Sequence, residues 1–342
     1  MPPTSLNLMG GGGVDISLPN VSYCEDVKDV HYTPYNLVRF YVGDITGTTP
    51  QTVKIYTDKT NHVDVQVSEG NKWYSYVLPK DKGLYRIESG IYDDGEWHNS
   101  IVTKAVVKAD ISYYTELIAS ETYNGIIPRS TVEASFKCSN TSNVTNMNFM
   151  FNECSGLTSL DLSSFDTSNV TDMILTFFSC SSLESLNVSS FNTSNVIRMT
   201  NMFSGCSGLT SLDVSNFDTS KVTDMNSMFN YCHSLKSLDL SNFNTSNVTD
   251  MTSMFDNSNS LKSLDLSNFN TSNVTDMNSM FNDCSGLTSL DLSGWDMSNV
   301  TDTTAMFNGC SPLLKIRMVG CSEATINKIK AVIPSGASIL LE

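Results

Sequence analysis

One pattern of apolar and polar positions recurs along the second half of the 342-residue chain. Seven copies follow one another at a constant spacing of 26 residues, without insertion or deletion, and they begin at Ser142, Ser168, Ser194, Ser220, Ser246, Ser272 and Ser298. One copy is too short to bury its own apolar side, so consecutive copies must stack around a shared core. The spacing therefore predicts a solenoid.

Each copy contains two kinds of apolar spacing. In the copy that begins at Ser272, the first part has apolar residues at intervals of three or four, namely Val274, Met277, Met280, Phe281 and Cys284. This spacing is typical of one face of a short helix, which Asn273 or a neighbouring hydroxyl residue can cap. The second part, L-x-x-L-x-L, predicts a short strand with Asp291 pointing outward. The expected fold class is an α/β solenoid whose strands form one parallel sheet.

Equivalent residues of stacked copies are expected to form ladders. Two aromatic ladders are predicted to lie in the core: Phe151, Phe177, Phe203, Phe229, Phe255, Phe281 and Phe307, and Phe165, Phe191, Phe217, Phe243, Phe269 and Trp295. A third ladder contains Cys154, Cys180, Cys206, Cys232, Cys284 and Cys310, with Ser258 at the same position in the fifth copy. Because parallel Cβ vectors stay too far apart for an unstrained disulfide, these residues are predicted to be free, buried thiols.

The strand motif LTSLDLS, together with the elements MFxxC and FxTSNVTDM, resembles the BspA-like leucine-rich repeats of bacterial and protozoal surface proteins. The resemblance covers residues 142 to about 318. It implies a leucine-rich-repeat solenoid and a role in adhesion or partner binding, without an enzymatic activity.

The flanks differ from the repeats. Residues 1–20 contain four consecutive glycines and are interpreted as a tail. Residues 21–120 contain alternating runs at 37–42, 52–56, 63–67, 73–77, 84–87 and 100–107, which predict a β-rich attachment domain, a sandwich. Residues 121–141 are predicted to cap the solenoid of residues 142–320. Residues 321–342 form the second cap, for which we expect strands at 315–319 and 338–341 and a helix at 322–333 with Ser322 as its N-cap.

Charge and hydropathy restrict the partners. Asp and Glu number 36 against 20 Lys and Arg, so the formal net charge is −16 and nucleic-acid binding is disfavoured. No apolar stretch approaches the ~20 residues that a membrane-spanning helix needs, and no secretory signal is visible, so membrane insertion is not expected. Association of identical chains through an exposed edge of the solenoid is compatible with this architecture.

Candidate catalytic chemistry is sparse. The chain has four histidines and lacks the H-E-x-x-H, G-x-S-x-G and phosphate-loop motifs, so neither an enzyme nor a cofactor or metal is expected. One enzyme hypothesis stays open, because Asp93, Asp94, Glu96 and His98 occur within six residues. The alternative interpretation of this cluster is a solvated polar loop.

The binding-site prediction is the patch where the copies differ most. It comprises Tyr231, His233, Lys236 and Lys262, together with strand carboxylates of the neighbouring copies, Asp213, Asp239 and Asp265. Stacked carboxylates repel one another, so a calcium ion or cationic partner could bind them. The interpretation that we prefer is a solvated face with serine hydrogen bonds. Cysteine and methionine ladders are expected to fill the core.

Three functions follow from these observations. The first is a non-catalytic binding or adhesion protein on a bacteriophage virion, a head or tail fibre, because virion proteins need no export signal. Its solenoid would face a host protein or glycan, and residues 1–120 would attach it to other virion proteins. The second is a bacterial or protozoal cell-surface adhesin exported by another route. The third is an enzyme with a site in the β-rich domain.

Overall fold

A computed structural model describes residues 36–42, 51–56, 61–78, 86–89, 91–93, 96–98, 102–108, 131–135 and 141–342. The predicted tail at residues 1–20 and most of the predicted cap at residues 121–141 lie outside these ranges.

The described residues before the repeats form nine strands. They are β1 (Asn36–Val42), β2 (Gln51–Tyr56), β3 (His62–Val67), β4 (Lys72–Leu78), β5 (Arg86–Ser89), β6 (Ile91–Asp93), β7 (Glu96–His98), β8 (Val102–Lys108) and β9 (Thr131–Ser135). They pair in the orders β4-β1-β8-β9, β3-β2-β5 and β6-β7, and only β8 and β9 run parallel. In β3, Val65 and Val67 are buried while Gln66 is exposed, as the period of two requires. The sandwich arrangement stays a prediction.

The repeats form a solenoid of about seven turns, as the spacing predicts. Its core consists of the recurring apolar residues: in the sixth turn Val274, Met277, Phe281, Leu287 and Leu292 are all fully buried. These side chains come from every side of the turn, so each turn encloses the core together with its neighbours.

The helix expected in each turn is absent from residues 141–342, where α1 (Glu323–Lys330) is the one α-helix. The segment is instead a series of tight turns in which Ser279 and Asp283 have positive φ angles of 55° and 52°. The amides of Met280 and Asn282 donate to carbonyls three residues earlier, at 3.2 and 3.0 Å. The amide of Phe281 donates to the next turn, to the carbonyl of Met306 at 2.9 Å. A helix would use all these donors internally, which leaves none to join the turns.

The predicted cap at Asn273 is also wrong. Its side-chain amide donates to the carbonyl of Ser246 in the preceding turn, at 2.7 Å. Asn169, Asn195, Asn247 and Asn299 make the same contact. This asparagine therefore joins turns and does not start a helix.

The predicted continuous parallel sheet is interrupted. The strands are β10 (Ser159–Asp161), β11 (Ser185–Asn187), β12 (Ser263–Asp265), β13 (Ser289–Asp291), β14 (Lys315–Arg317) and β15 (Ser338–Leu340). They form two parallel sheets, β10-β11 and β12-β13-β14-β15. Between them the backbone bond from Lys236 N to Thr210 O lengthens to 3.4 Å, against 2.8 Å from Glu184 N to Thr158 O. The ladders on the other sides of the turns continue there, so the stack does not need strand pairing at every step.

Both aromatic ladders are buried, as predicted. In the ladder from Phe151 to Phe307, ring centroids of consecutive turns lie 5.2–5.7 Å apart and the rings are nearly parallel. Offset stacking at this distance is favourable beyond the area it buries. Stacking of these rings therefore adds to the stability of the contacts between turns.

The cysteine ladder is buried and hydrogen-bonded. The thiol of Cys206 donates to the carbonyl of Phe177 in the preceding turn at 3.1 Å, and Cys180, Cys232, Cys284 and Cys310 repeat the contact. In the fifth turn the hydroxyl of Ser258 donates to Phe229 O at 2.8 Å. Burial raises the pKa of the Cys180 and Cys232 thiols to about 12. The copies thus share a small hydrogen-bond donor at this position, which is a thiol in the cysteines and a hydroxyl in Ser258.

The strands and the helix of the C-terminal segment lie where the sequence predicts them, with α1 directly after Ser322 and β14 and β15 beginning at Lys315 and Ser338. The hydroxyl of Ser322 accepts a hydrogen bond from Thr325 N and caps α1, and β15 pairs with β14. Lys328 donates to the carbonyls of Met297 and Val300, at 2.7 and 2.8 Å, which closes the last turn. Among the described residues, no helix has the length and apolarity to cross a bilayer.

The donor role of the cysteine ladder is testable at Cys206. Cys206→Ser should preserve stability, since Ser258 occupies the same position naturally. Cys206→Ala should lower the free energy of unfolding by about 0.5–1.5 kcal/mol relative to Cys206→Ser, because it removes one of the two hydrogen bonds that the buried Phe177 carbonyl accepts, the other coming from Cys180 N at 3.3 Å. Urea unfolding followed by circular dichroism measures the difference. Equal stability of the two variants would show that the hydrogen bond contributes nothing.

Candidate functional site

The strand carboxylates Asp213, Asp239 and Asp265 lie on the exposed side of the solenoid. Each Oδ1 accepts a hydrogen bond at 3.0 Å from the main-chain N–H two residues later, at Ser215, Ser241 and Ser267. The carboxylates therefore stabilise the turn that follows the strand. Asn187 replaces them in the second turn and accepts the same bond from Ser189 N at 3.1 Å.

Hydrogen bonding changes the acidity of this ladder. Bonds from the hydroxyl and the N–H of Ser215 lower the pKa of Asp213. The N–H and hydroxyl of Ser241 likewise lower the pKa of Asp239, against a smaller opposing effect from the charge of Asp213. The repulsion anticipated from the sequence is therefore outweighed locally by donors from the same turn.

A second carboxylate ladder was missed by the sequence analysis. It lies at the start of each turn segment, where Asp172, Asp224, Asp250, Asp276 and Asp302 are joined by isolated parallel bridges. Arg198 interrupts it and forms an ion pair with Asp172 at 2.5 Å. The Thr-Asp pair that recurs at the 26-residue spacing was the available signal.

Tyr231 and His233 meet at a corner of the fourth turn. Their rings form a T-shaped contact with centroids 5.4 Å apart, and the Tyr231 side chain is 47% exposed. The intervening Cys232 is buried in the cysteine ladder, which forces the two flanking side chains outward. No other copy has an aromatic residue at either position.

A groove of about 430 Å³ opens beside this aromatic pair. It runs across three turns, and its lining residues are Phe178, Ser179, Asn201, Ser204, Gly205, Ser207, Asn230, Tyr231 and His233. Gly205 lies one turn before Tyr231 and has a φ of 76°. A Cβ there would come within 2.9 Å of the Ser179 hydroxyl, so the floor of the groove admits no side chain at this position.

Two polar atoms of the groove residues are unpaired. Within the described part of the chain, Asn230 Oδ1 and His233 Nδ1 are the buried side-chain polar atoms that have no hydrogen-bond partner. In the next turn, Asp256 occupies the position of Asn230 and accepts bonds at 2.8 Å from Asn257 and Asn282. An unpaired buried polar atom costs about 1–3 kcal/mol of folding free energy. The groove therefore leaves hydrogen-bonding groups without partners, whereas the equivalent carboxylate one turn later is paired.

The structure separates the remaining members of the predicted patch. Lys236 and Lys262 are exposed beside the strand positions and do not line the groove. Neither forms an ion pair with a described residue. Asp213, Asp239 and Asp265 likewise lie outside the groove lining. Phe178 and Gly205, which do line it, were not predicted from the sequence.

Three residues of the enzyme hypothesis, Asp93, Glu96 and His98, lie in the antiparallel β6-β7 pair. In the β6-β7 pair, Asp93 lies opposite Glu96 and Ile91 opposite His98, whereas Asp94 is outside the described residues. Among the described residues, no group of three or more His, Cys, Asp or Glu side chains is arranged to hold a metal ion.

A family model matches the repeats over nearly all of their length. Its description is Mycoplasma protein of unknown function, DUF285, and it matches residues 128–237 and again residues 208–316, more than half of the chain. The chain belongs to the DUF285 family. No curated protein and no solved structure shows significant similarity to it. Membership in DUF285 agrees with the repeat architecture and leaves the BspA-like resemblance unconfirmed.

The strand carboxylates predict a pH dependence of stability. The folded pKa values of Asp213 and Asp239 lie below the unfolded value of about 3.9, so the contribution of these two carboxylates is present above that pH and is lost as the pH falls through the folded pKa. The double variant Asp213→Asn, Asp239→Asn should retain its thermal midpoint at pH 7, because asparagine accepts the same bond. Its midpoint should fall less than that of the wild type between pH 5 and pH 3. An identical acid response of both proteins would contradict this role.

Proposed function

We propose that this DUF285 protein is a non-catalytic binding protein displayed on a surface, where the groove at Tyr231 recognises a protein or glycan of a host or partner. The observation that carries the proposal is the break in an otherwise uniform solenoid. The other turns carry small or polar residues at the two positions where the fourth turn has an exposed tyrosine and a histidine in mutual contact. Exposed aromatic residues beside a concave surface are typical of binding sites.

The same proposal assigns the repeats to the BspA-like leucine-rich class. The support is the strand spacing, since Leu157, Leu160 and Leu162 are buried, and so are Leu287, Leu290 and Leu292. In leucine-rich repeats each strand contributes inward leucines at this spacing. Adhesion is the role that the resemblance implies for such a solenoid.

Two places of display are proposed. The first is a bacteriophage virion, with residues 1–120 attaching the chain to other virion proteins and the solenoid facing outward. The second is a bacterial cell surface, which the family description favours because it names Mycoplasma. An acidic, hydroxyl-rich solenoid resists nonspecific association in either place.

Mass spectrometry distinguishes the two places. The virion proposal predicts the chain at a stoichiometric copy number in purified phage particles, and its absence from the washed surface fraction of uninfected source cells. Recovery from the cell surface alone would establish the second place. Recovery from neither fraction would overturn surface display.

The groove is tested by attachment of the labelled full-length chain to washed source or host cells. Tyr231→Ala should reduce attachment by about tenfold or more, because it truncates the exposed anchor of the site. Leu313→Ala is the matched control, since Leu313 is 73% exposed and lies in the seventh turn. Equal loss in both variants, or no loss in Tyr231→Ala, would remove the groove from the proposed function.

A further inference from the structure

We propose that the groove binds a neutral sugar residue of a glycan, an inference that rests on the proposed binding function and specifies its ligand. The first support is charge. None of the nine lining residues is an Asp, Glu, Lys or Arg, although the chain carries a formal net charge of −16. In other turns, Glu153 and Asp283 occupy the position of Tyr231, and Asp256 occupies the position of Asn230. A groove without Lys or Arg on an acidic protein is poorly suited to phosphate, sulfate or carboxylate groups.

The walls of the groove suit a ring with apolar faces. Tyr231 forms one wall, and the half-buried Phe178, two turns earlier, forms another. Aromatic rings present a negative face that attracts the slightly positive C–H groups of a sugar ring. Between these walls, Ser204, Gly205 and Ser207 form a floor of small residues, and the close approach of Gly205 to Ser179 keeps the floor free of larger side chains. A volume of about 430 Å³ is within the range of small-molecule sites.

The polar groups of the groove suit hydroxyl ligands. Asn230 Oδ1 and His233 Nδ1 have no partner, yet both belong to side chains that line the groove. The terminal χ2 torsions of Asn and His are broad, so a rotation can turn these polar atoms toward a ligand. Sugar hydroxyls both donate and accept, and they can therefore satisfy either atom. A purely apolar ligand would leave both unpaired.

The test uses the purified full-length chain on an array of neutral, sialylated and sulfated oligosaccharides. We expect neutral glycans to be retained. Tyr231→Ala should weaken binding to them by about tenfold or more, whereas Leu313→Ala should bind as the wild type does. Retention of anionic glycans alone, or retention that Tyr231→Ala does not change, would overturn the assignment.

A second variant separates ligand contact from structural damage. His233→Phe keeps an aromatic ring beside Tyr231 and removes the unpaired nitrogen. We expect it to lose about tenfold in glycan binding without any fall in the thermal midpoint, because a buried unpaired atom has been removed from the folded state. Unchanged glycan binding would show that His233 does not contact the sugar and would contradict the proposed set of contacts.

The sugar assignment and the proposed function fail in different experiments. If attachment to cells depends on Tyr231 while no neutral glycan is retained or competes, the ligand class is wrong and the binding function stands. If Tyr231→Ala leaves cell attachment unchanged, the proposed function of the groove itself is wrong.

Discussion

The solenoid depends on how main-chain hydrogen bonds are shared between turns. Along each turn segment, amides alternately donate within the segment, as Met280 N does to Met277 O, and to the next turn, as Phe281 N does to Met306 O. Buried amides must be paired, so no turn is complete without its neighbour. A single extra residue would shift every donor away from its acceptor. This requirement explains why the seven copies keep one spacing, and why small donors such as Cys206 and Ser258 recur at one position.

Periodicity was sufficient to predict the ladders but not the backbone that carries them. Apolar residues at intervals of three or four lie inward in a helix, and they lie inward equally in a series of tight turns. The backbone differs from a helix because two residues of each segment, four positions apart, have a positive φ. The residue types at these positions do not indicate a positive φ, since Leu175, Tyr231 and Ala305 have one as well as Gly205. Neighbouring turns impose this conformation through the hydrogen bonds between them. The C-terminal helix, which carries its own cap at Ser322, was by contrast predictable from its local sequence.

The candidate site was predictable in part for the same reason. Tyr231 and His233 stand out within their own copy, and they do lie together. Lys236 follows closely in sequence, but the chain changes direction after Cys232. The lysine therefore lies on the side of the turn that carries the strand positions, outside the groove. Phe178 and Gly205 come from other copies. They could be found only by comparing equivalent positions of successive turns, because contacts in a solenoid join residues about 26 or 52 apart.

The uniform register has a genetic consequence. Recombination between nearly identical repeat sequences can add or remove a whole copy. Each event would lengthen or shorten the stack by one strand spacing, about 4.8 Å, while every bond between turns is remade with an equivalent partner. Most of the solenoid can therefore vary in length among descendants of one gene. The interval from Phe178 to Tyr231 cannot vary in length, because one added copy would separate the two walls of the groove. Length variants should thus differ elsewhere along the stack and retain these three turns unaltered.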